Sequence, residues 1–185
     1  MKKINLIAAV FALALFAGIF WFLSSHKAPG SSTGAPSEVQ WPVVEAVPAP
    51  ALGQTYTNKA YKFSVQMPAG FKASELANDA GGKTILLQDG SGQGIQIYVT
   101  PYPEDTHTLT ADDVRSSIPD MHITDAQDVP VGTSYKGVAF RSDNEAFGSD
   151  SREVWFVFRS NLYQISTYSR FDPLLKAMFG TWKFE

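Results

Sequence analysis

Few residues of this chain have the types and the spacing that catalysis or metal binding requires. The three histidines, His26, His107 and His122, lack the HxH or HxxxH spacing of a zinc site. The chain contains no cysteine, which excludes disulfides, thiol nucleophiles and thiolate metal ligands. We therefore predict no metal centre, and we interpret His107 and His122 as exposed residues of a loop and a strand.

An acidic stretch at residues 143–153 partly matches a calcium-binding loop. Gly148 stands at the sixth place counted from Asp143, as the turn of such a loop requires. The match fails twice, because Phe147 takes the fifth place, where an oxygen ligand is needed, and Glu153 is the eleventh residue instead of the twelfth. An acidic loop that joins two strands is the better interpretation.

Other acidic residues could hold a weak cation or a basic partner, but a structural role is the commoner one. Asp112 and Asp113 fall in the first turn of a predicted helix, where carboxylates interact favourably with the helix dipole. The rest of the set reads as a solvated face: Glu104, Asp105, Asp120, Asp125 and Asp128.

A serine nucleophile is equally unsupported. The chain has no Gly-x-Ser-x-Gly elbow. Ser91 lies within the glycine-rich residues 89–94, which no helix follows, so this segment is neither a nucleophile elbow nor a phosphate loop. We predict that the protein is not an enzyme and that it needs no cofactor.

Four tyrosines occupy positions that the strand patterns assign to a polar face: Tyr98, Tyr102, Tyr135 and Tyr168. Tyrosines outside a core suit contacts with a partner or a ligand, because they bury much area at a low entropic cost. Half-buried tyrosines on a sheet face are the commoner alternative. A nucleic-acid partner is excluded on charge, since 15 Lys and Arg stand against 18 Asp and Glu.

Alternating and apolar runs predict the strands that would position these residues. Tyr61, Phe63, Val65 and Met67 alternate with polar residues until Pro68. Further strands are predicted at residues 84–88, 95–100, 122–131, 137–142, 154–158, 162–169 and 181–184. The run at 154–158 is continuously apolar, which is typical of a strand covered on both faces. Residues 89–94 and 159–161 are predicted to be hairpin turns.

Two short helices complete the predicted fold. Thr110 and Asp113 form a capping box for the first helix, which Pro119 ends. Asp172 is predicted to cap the second helix, with Pro173 at its first position and Gly180 closing it. The fold class is therefore α+β, with an antiparallel β-sheet flanked by short α-helices.

The N-terminal segment predicts a membrane span. Residues 6–23 contain no charged side chain, and with the two preceding residues the run is about 20 residues, the length of a transmembrane helix. Lys2 and Lys3 favour a cytoplasmic N-terminus, so the rest of the chain is expected outside. The alternative is a signal peptide whose cleavage leaves a secreted domain. The apolar run is longer than that of a usual signal peptide, and His26 occupies a position of the best cleavage site that requires a small residue.

Composition divides the chain into three parts. Residues 1–23 are the anchor or signal, residues 24–55 are a linker rich in Pro, Gly and Ser, and residues 56–185 are the folded domain. Trp41 and its apolar neighbours at 39–47 could dock on the domain or on the membrane; a loose linker is the alternative.

Both ends of the domain resemble PsbP-like domains. Residues 56–71 (YTNKAYKFSVQMPAGF) contain the family's Tyr-x-Phe-x-hydrophobic strand followed by Pro, Gly and an aromatic residue. Residues 179–184 (FGTWKF) resemble its final turn from helix to strand. The resemblance implies an antiparallel sheet flanked by helices, as in extrinsic photosystem subunits and in exported bacterial proteins of unknown role. It implies no catalytic motif and does not imply photosynthesis.

Together these features predict a membrane-anchored extracytoplasmic accessory or interaction domain. Its partners would be the membrane and an envelope or membrane protein. The alternative is a binder of a small apolar ligand in a pocket between sheet and helix, lined by Trp155, Phe156 and Trp182.

Overall fold

The computed structural model describes residues 51–77, 81–104, 106–148 and 150–185, which form two antiparallel sheets and two short helices. The elements in chain order are β1 (Leu52–Asn58), β2 (Phe63–Pro68), β3 (Lys72–Ala77), β4 (Lys83–Gln88), β5 (Gly94–Pro101), α1 (Ala111–Ser117), β6 (Ile123–Val131), β7 (Tyr135–Ser142), β8 (Ser151–Phe158), β9 (Asn161–Tyr168), α2 (Asp172–Phe179) and β10 (Lys183–Phe184). The predicted α+β class with antiparallel strands is confirmed.

The larger sheet has seven strands in the order β3-β4-β5-β9-β8-β7-β6. Its hairpins form where the turn chemistry predicted them. Arg159 and Ser160 both have positive φ, 48° and 55°, which is the backbone of a two-residue turn matched to the twist of β8 and β9. The smaller sheet has the order β1-β2-β10.

The main core lies between the two sheets and α2. Because side chains alternate along a strand, one face of β4, β5, β9 and β8 presents Ile85, Ile97, Ile165 and Phe156 to this core. Phe63 of β2 stacks on Trp182 at 4.4 Å between ring centroids. All eight residues of β8 are buried, so the prediction of a strand covered on both faces is confirmed.

Helix α1 covers part of the opposite, outer face of the larger sheet. Val114 of α1 packs in a second cluster that includes Trp155, Val157 and Leu162. The predicted capping box is confirmed, since Asp113 N donates to Thr110 Oγ1 at 3.2 Å and Thr110 N donates to Asp113 Oδ2 at 2.8 Å.

Helix α2 differs from its prediction at both ends. Phe171 is the N-cap, so Asp172 is the first helical residue and Pro173 the second. Asp172 is held instead by ion pairs with Arg152 at 2.9 Å and Lys176 at 2.8 Å. Gly180 ends the helix as predicted, but at a right-handed φ of −62° that does not need glycine.

Two strands extend the predicted set. Strand β1 begins at Leu52, so residues 52–55, which the sequence analysis assigned to the linker, pair with β2. Strand β3 was not predicted, because all six of its residues are exposed and its composition carries no alternation. It is an edge strand that pairs with β4 alone.

Candidate functional site

The outer face of the larger sheet is divided into two parts. The apolar cluster that contains α1 involves side chains of β6, β7, β8 and β9 and stops short of β3, β4 and β5. Register and alternation place a second set on the same face: Ser74, Leu76, Thr84, Leu86, Gln96, Tyr98 and Gln164. We call this set the neutral half-face, because none of these side chains is charged; Lys72, which alternation places on the same face at the start of β3, lies at its margin.

Leu76 and Tyr98 are the two conspicuous residues of the neutral half-face. Leu76 on the edge strand β3 is 51 % exposed, which makes it an exposed large hydrophobic residue. Tyr98 lies between Thr84 and Gln164 in register. Its hydroxyl is buried and has no hydrogen-bond partner in the described part of the chain. Burial raises the pKa of Tyr98, so the phenol stays protonated and can donate a hydrogen bond at neutral pH.

The structure does not bring the other three tyrosines to this surface. Tyr102 packs against the cluster under α1. Tyr135 lies on the inner face, where its ring stacks on His107 at 4.3 Å between centroids and is tilted against Phe158 at 4.8 Å. Tyr168 ends β9, where the guanidinium of Arg170 lies 4.4 Å from its ring centroid. Each is half-buried, and the four do not form one site.

A buried carboxylate on β8 is the feature that sequence reasoning missed. Glu153 has no exposed surface and accepts hydrogen bonds on both oxygens. Oε1 accepts from Ser151 Oγ at 2.8 Å and from Asn144 Nδ2 at 3.1 Å. Oε2 accepts from Trp155 Nε1 at 3.2 Å and from Ser166 Oγ. These donors come from β8, β9 and the β7–β8 loop, so Glu153 joins three segments.

No cation neutralises this carboxylate within the described part of the chain. Burial raises the pKa of Glu153, and the four donors lower it only in part. The one sequence signal was a charged residue directly before the continuously apolar run at 154–158. This arrangement stabilises the contact between the three segments, because every neighbouring group donates a hydrogen bond to the carboxylate and the carboxylate has no exposed surface.

Two polar side chains of the loop before Glu153 form hydrogen bonds within the chain. Asp143 accepts a hydrogen bond from His122 N at 3.0 Å, and the amide of Asn144 points its hydrogens at Glu153. In the described ranges no group of three His, Cys, Asp or Glu residues is placed to hold a metal ion.

A second polar cluster joins the two sheets at their edge. Tyr56 on β1 donates its hydroxyl to Glu75 on β3, and Asn58 Nδ2 donates to the same Oε1 at 3.1 Å. Lys83 forms an ion pair with Glu75 Oε2 at 2.7 Å. The bonds from Lys83 and Tyr56 lower the pKa of Glu75, so this carboxylate is ionised at neutral pH.

The residues expected to line an apolar pocket do not converge. Trp155 lies on the outer face, under α1, whereas Phe156 and Trp182 lie in the inner core, since adjacent residues of a strand point to opposite faces. A void between α2 and the sheet, lined in part by Leu175, Met178 and Trp182, has a volume of about 10 Å³. That is the size of one water molecule and far below a ligand site of several hundred Å³.

The predicted membrane span at residues 6–23 lies outside the described residues, as do the linker up to residue 50 and its apolar segment at 39–47. Among the helices that the structure does describe, none has the length and hydropathy needed to cross a bilayer.

Similarity to known proteins is found among solved structures. No family model matches the chain, and no curated protein matches it. Among solved structures, the chain is similar to the solution structure of cyanobacterial PsbP (CyanoP) from Synechocystis sp. PCC 6803, with 15 % identity and a TM-score of 0.49 over 82 % of this chain and 98 % of that one. A PsbP structure is thus among the solved structures to which this chain is similar, as the sequence resemblance led us to expect.

Proposed function

We propose that the protein is a non-enzymatic accessory domain, anchored in a membrane by residues 6–23, that binds an envelope or membrane protein outside the cytoplasm. The apolar, uncharged composition of residues 6–23 supports the anchor. The neutral half-face supports the interaction, because an exposed leucine lies there among uncharged side chains at the edge of the sheet.

The exposure of Leu76 is the observation that carries the proposed interaction. A large apolar side chain that is 51 % exposed on an edge strand gains free energy when a partner covers it. The surrounding threonine and glutamine side chains can both donate and accept, which suits the polar surface of another protein.

The edge strand β3 adds a second means of contact. Within the described residues β3 pairs with β4 alone, so it forms an edge of the larger sheet, and the exposed Leu76 lies on it. A strand of a partner can extend the sheet there.

Capture of partners by the full-length, affinity-tagged chain from solubilised membranes tests this function. Leu76→Glu should abolish retention of the partner, because it places a charge on the neutral half-face. Thr57→Glu is the matched control, since Thr57 is an exposed strand residue of the smaller sheet. Equal retention by both variants, or no partner above background, would refute the interaction.

The anchor has its own test. Carbonate or high-salt washing should leave the protein in the membrane fraction, because apolar burial is not screened by salt. N-terminal sequencing of the mature protein should find the start of the chain intact. A start near Gly30 would mean a cleaved signal and a secreted domain.

A further inference from the structure

Four cationic side chains meet at one end of the domain. Lys59 and Lys62 lie in the turn between β1 and β2, Arg159 lies in the turn between β8 and β9, and Lys183 lies on β10 opposite Ser64. We call this set the basic end. The chain enters β1 at the other end of the sheet, where Leu52 pairs with Pro68.

The last residue of the chain connects the segments that carry these cations. Glu185 N donates to Lys62 O at 2.9 Å, and Arg159 Nη1 donates to Glu185 O at 2.8 Å. Behind them Phe184 stacks on Phe158 at 3.7 Å between centroids. The cations are therefore displayed together by a packed framework and not by independent loops.

The three lysines of the basic end are available to an outside partner. All four residues are exposed, and none of the lysines forms an ion pair in the described part of the chain, whereas Arg159 donates to Glu185 O. The chain as a whole has a net charge of −3, whereas four cations and the Glu185 side chain lie at this end. Further carboxylates lie nearby on the α1 side, where Asp113 and Glu104 act on Tyr102, whose N–H donates to Ser160 O.

We propose that the basic end binds the anionic lipid head groups of the membrane in which the chain is anchored. This inference rests on the proposed function, since the anchor keeps the domain beside the bilayer at a high effective concentration. Residues 24–51 can reach at most about 100 Å, which lets an end remote from the entry of the chain turn to the membrane. Half-buried Tyr61 and Phe184 border the cations and suit the interface, where aromatic rings collect.

Electrostatic attraction favours the binding of anionic lipid at the basic end over the rest of the domain surface. Each Lys or Arg near an anionic leaflet strengthens binding about fivefold. The acidic α1 side lies at the same end but on the outer face of the larger sheet, so an anionic leaflet repels that face and attracts the face that carries the lysines.

The absence of cysteine makes a direct test possible with the full chain. Ala60→Cys places one fluorophore at the basic end, and Ser91→Cys places one in the β4–β5 turn at the other end; both positions are exposed. Each labelled chain is reconstituted into phosphatidylcholine vesicles with or without about one third phosphatidylglycerol. A quencher on the lipid head group then reports which end lies at the surface.

We expect severalfold stronger quenching at residue 60 in the anionic vesicles, lost in 1 M salt, where the Debye length is about 3 Å. Residue 91 should not respond. Lys59→Gln with Lys62→Gln should weaken lipid binding more than about tenfold, so quenching at residue 60 in anionic vesicles should fall to nearly its level in neutral vesicles. Lys72→Gln with Arg170→Gln, an equal loss of charge at exposed positions of the other end, should leave it unchanged.

Equal quenching in neutral and anionic vesicles, or no effect of the substitutions at the basic end, would overturn the lipid assignment while the anchor stands. A chain that does not remain with the vesicles after washing would refute the anchor itself. The two failures are therefore distinguishable.

Discussion

Replacement of Glu153 should reveal how much the buried carboxylate contributes to the fold. In Glu153→Ala, the buried donors Trp155 Nε1 and Ser166 Oγ lose their acceptor. Asn144 is only part-buried and can bond to water, and Ser142 and Ser151, 2.8 Å apart, can bond to each other. Two unsatisfied buried donors at about 1–3 kcal/mol each predict a loss of about 2–6 kcal/mol. The variant no longer has to bury a carboxylate, which reduces this loss. We therefore expect the free energy of unfolding to fall by about 3 kcal/mol, a large part of a typical stability of about 5–15 kcal/mol.

The pH dependence follows from the same contacts. Because burial raises the pKa of Glu153 above its ordinary value of 4.5, the folded state binds its proton more tightly than the unfolded state does. Its contribution to stability is therefore complete below pH 4.5 and is lost as the pH rises through the folded pKa. Glu153→Gln cannot titrate, so the free energy of unfolding of this variant should change less with pH above 4.5 than that of the wild type.

Urea unfolding, followed by tryptophan fluorescence at several pH values, measures both effects. Ser117→Ala is a suitable control, since that hydroxyl bonds only to a backbone carbonyl of α1, Asp113 O at 2.7 Å. Identical pH profiles for wild type and Glu153→Gln would refute the raised pKa. A loss below about 0.5 kcal/mol in Glu153→Ala would refute the role of the hydrogen-bond cluster.

Three further predictions follow from other contacts. Glu75→Gln should remove part of the acid sensitivity of folding, which acid unfolding midpoints measure. The lowered pKa of Glu75 adds stability that is present above pH 4.5 and is lost as the pH falls through the pKa of the folded state. Gly137→Ala should cost about 1–3 kcal/mol in urea unfolding, since its Cβ would lie 2.5 Å from a backbone oxygen of β8, whereas Gly90→Ala, with nothing within 4 Å, should be close to neutral. A fragment of residues 51–185 should melt cooperatively in reducing buffer, whereas residues 59–185, which lack β1, should not; melting of the longer fragment only in detergent would contradict this.

Local signals account for most of the elements that were predicted correctly. The capping box at Thr110 and the turn at Arg159 depend on a few neighbouring residues, so their chemistry is the same in any fold. Strand β3 and the start of β1 carried no such signal, because most of their own side chains are exposed and show no apolar alternation. Only their pairing with β4 and β2 makes them strands. The shift of the N-cap from Asp172 to Phe171 has a tertiary cause, since Arg152 of β8 pairs with the carboxylate of Asp172.

The candidate sites divide in the same way. The four tyrosines could be identified from alternation, but the face on which each lies depends on register between strands distant in sequence, and only Tyr98 belongs to the neutral half-face. The four cations of the basic end are spread from residue 59 to residue 183, so no spacing in the sequence connects them. Glu153 was considered only as a failed calcium ligand, because its donors are assembled by three segments.

The sequence by itself determined the α+β class, the hairpins and the expectation of a membrane span, because these depend on hydrophobic period, turn chemistry and the free energy of apolar residues in lipid. Only the tertiary structure decided which charges are buried, which are gathered at one end and which tyrosine is left without a partner. Burial and proximity arise from contacts between segments remote in the chain. Strand register sets those contacts, because a shift of one residue would turn every side chain of a strand to the other face of the sheet.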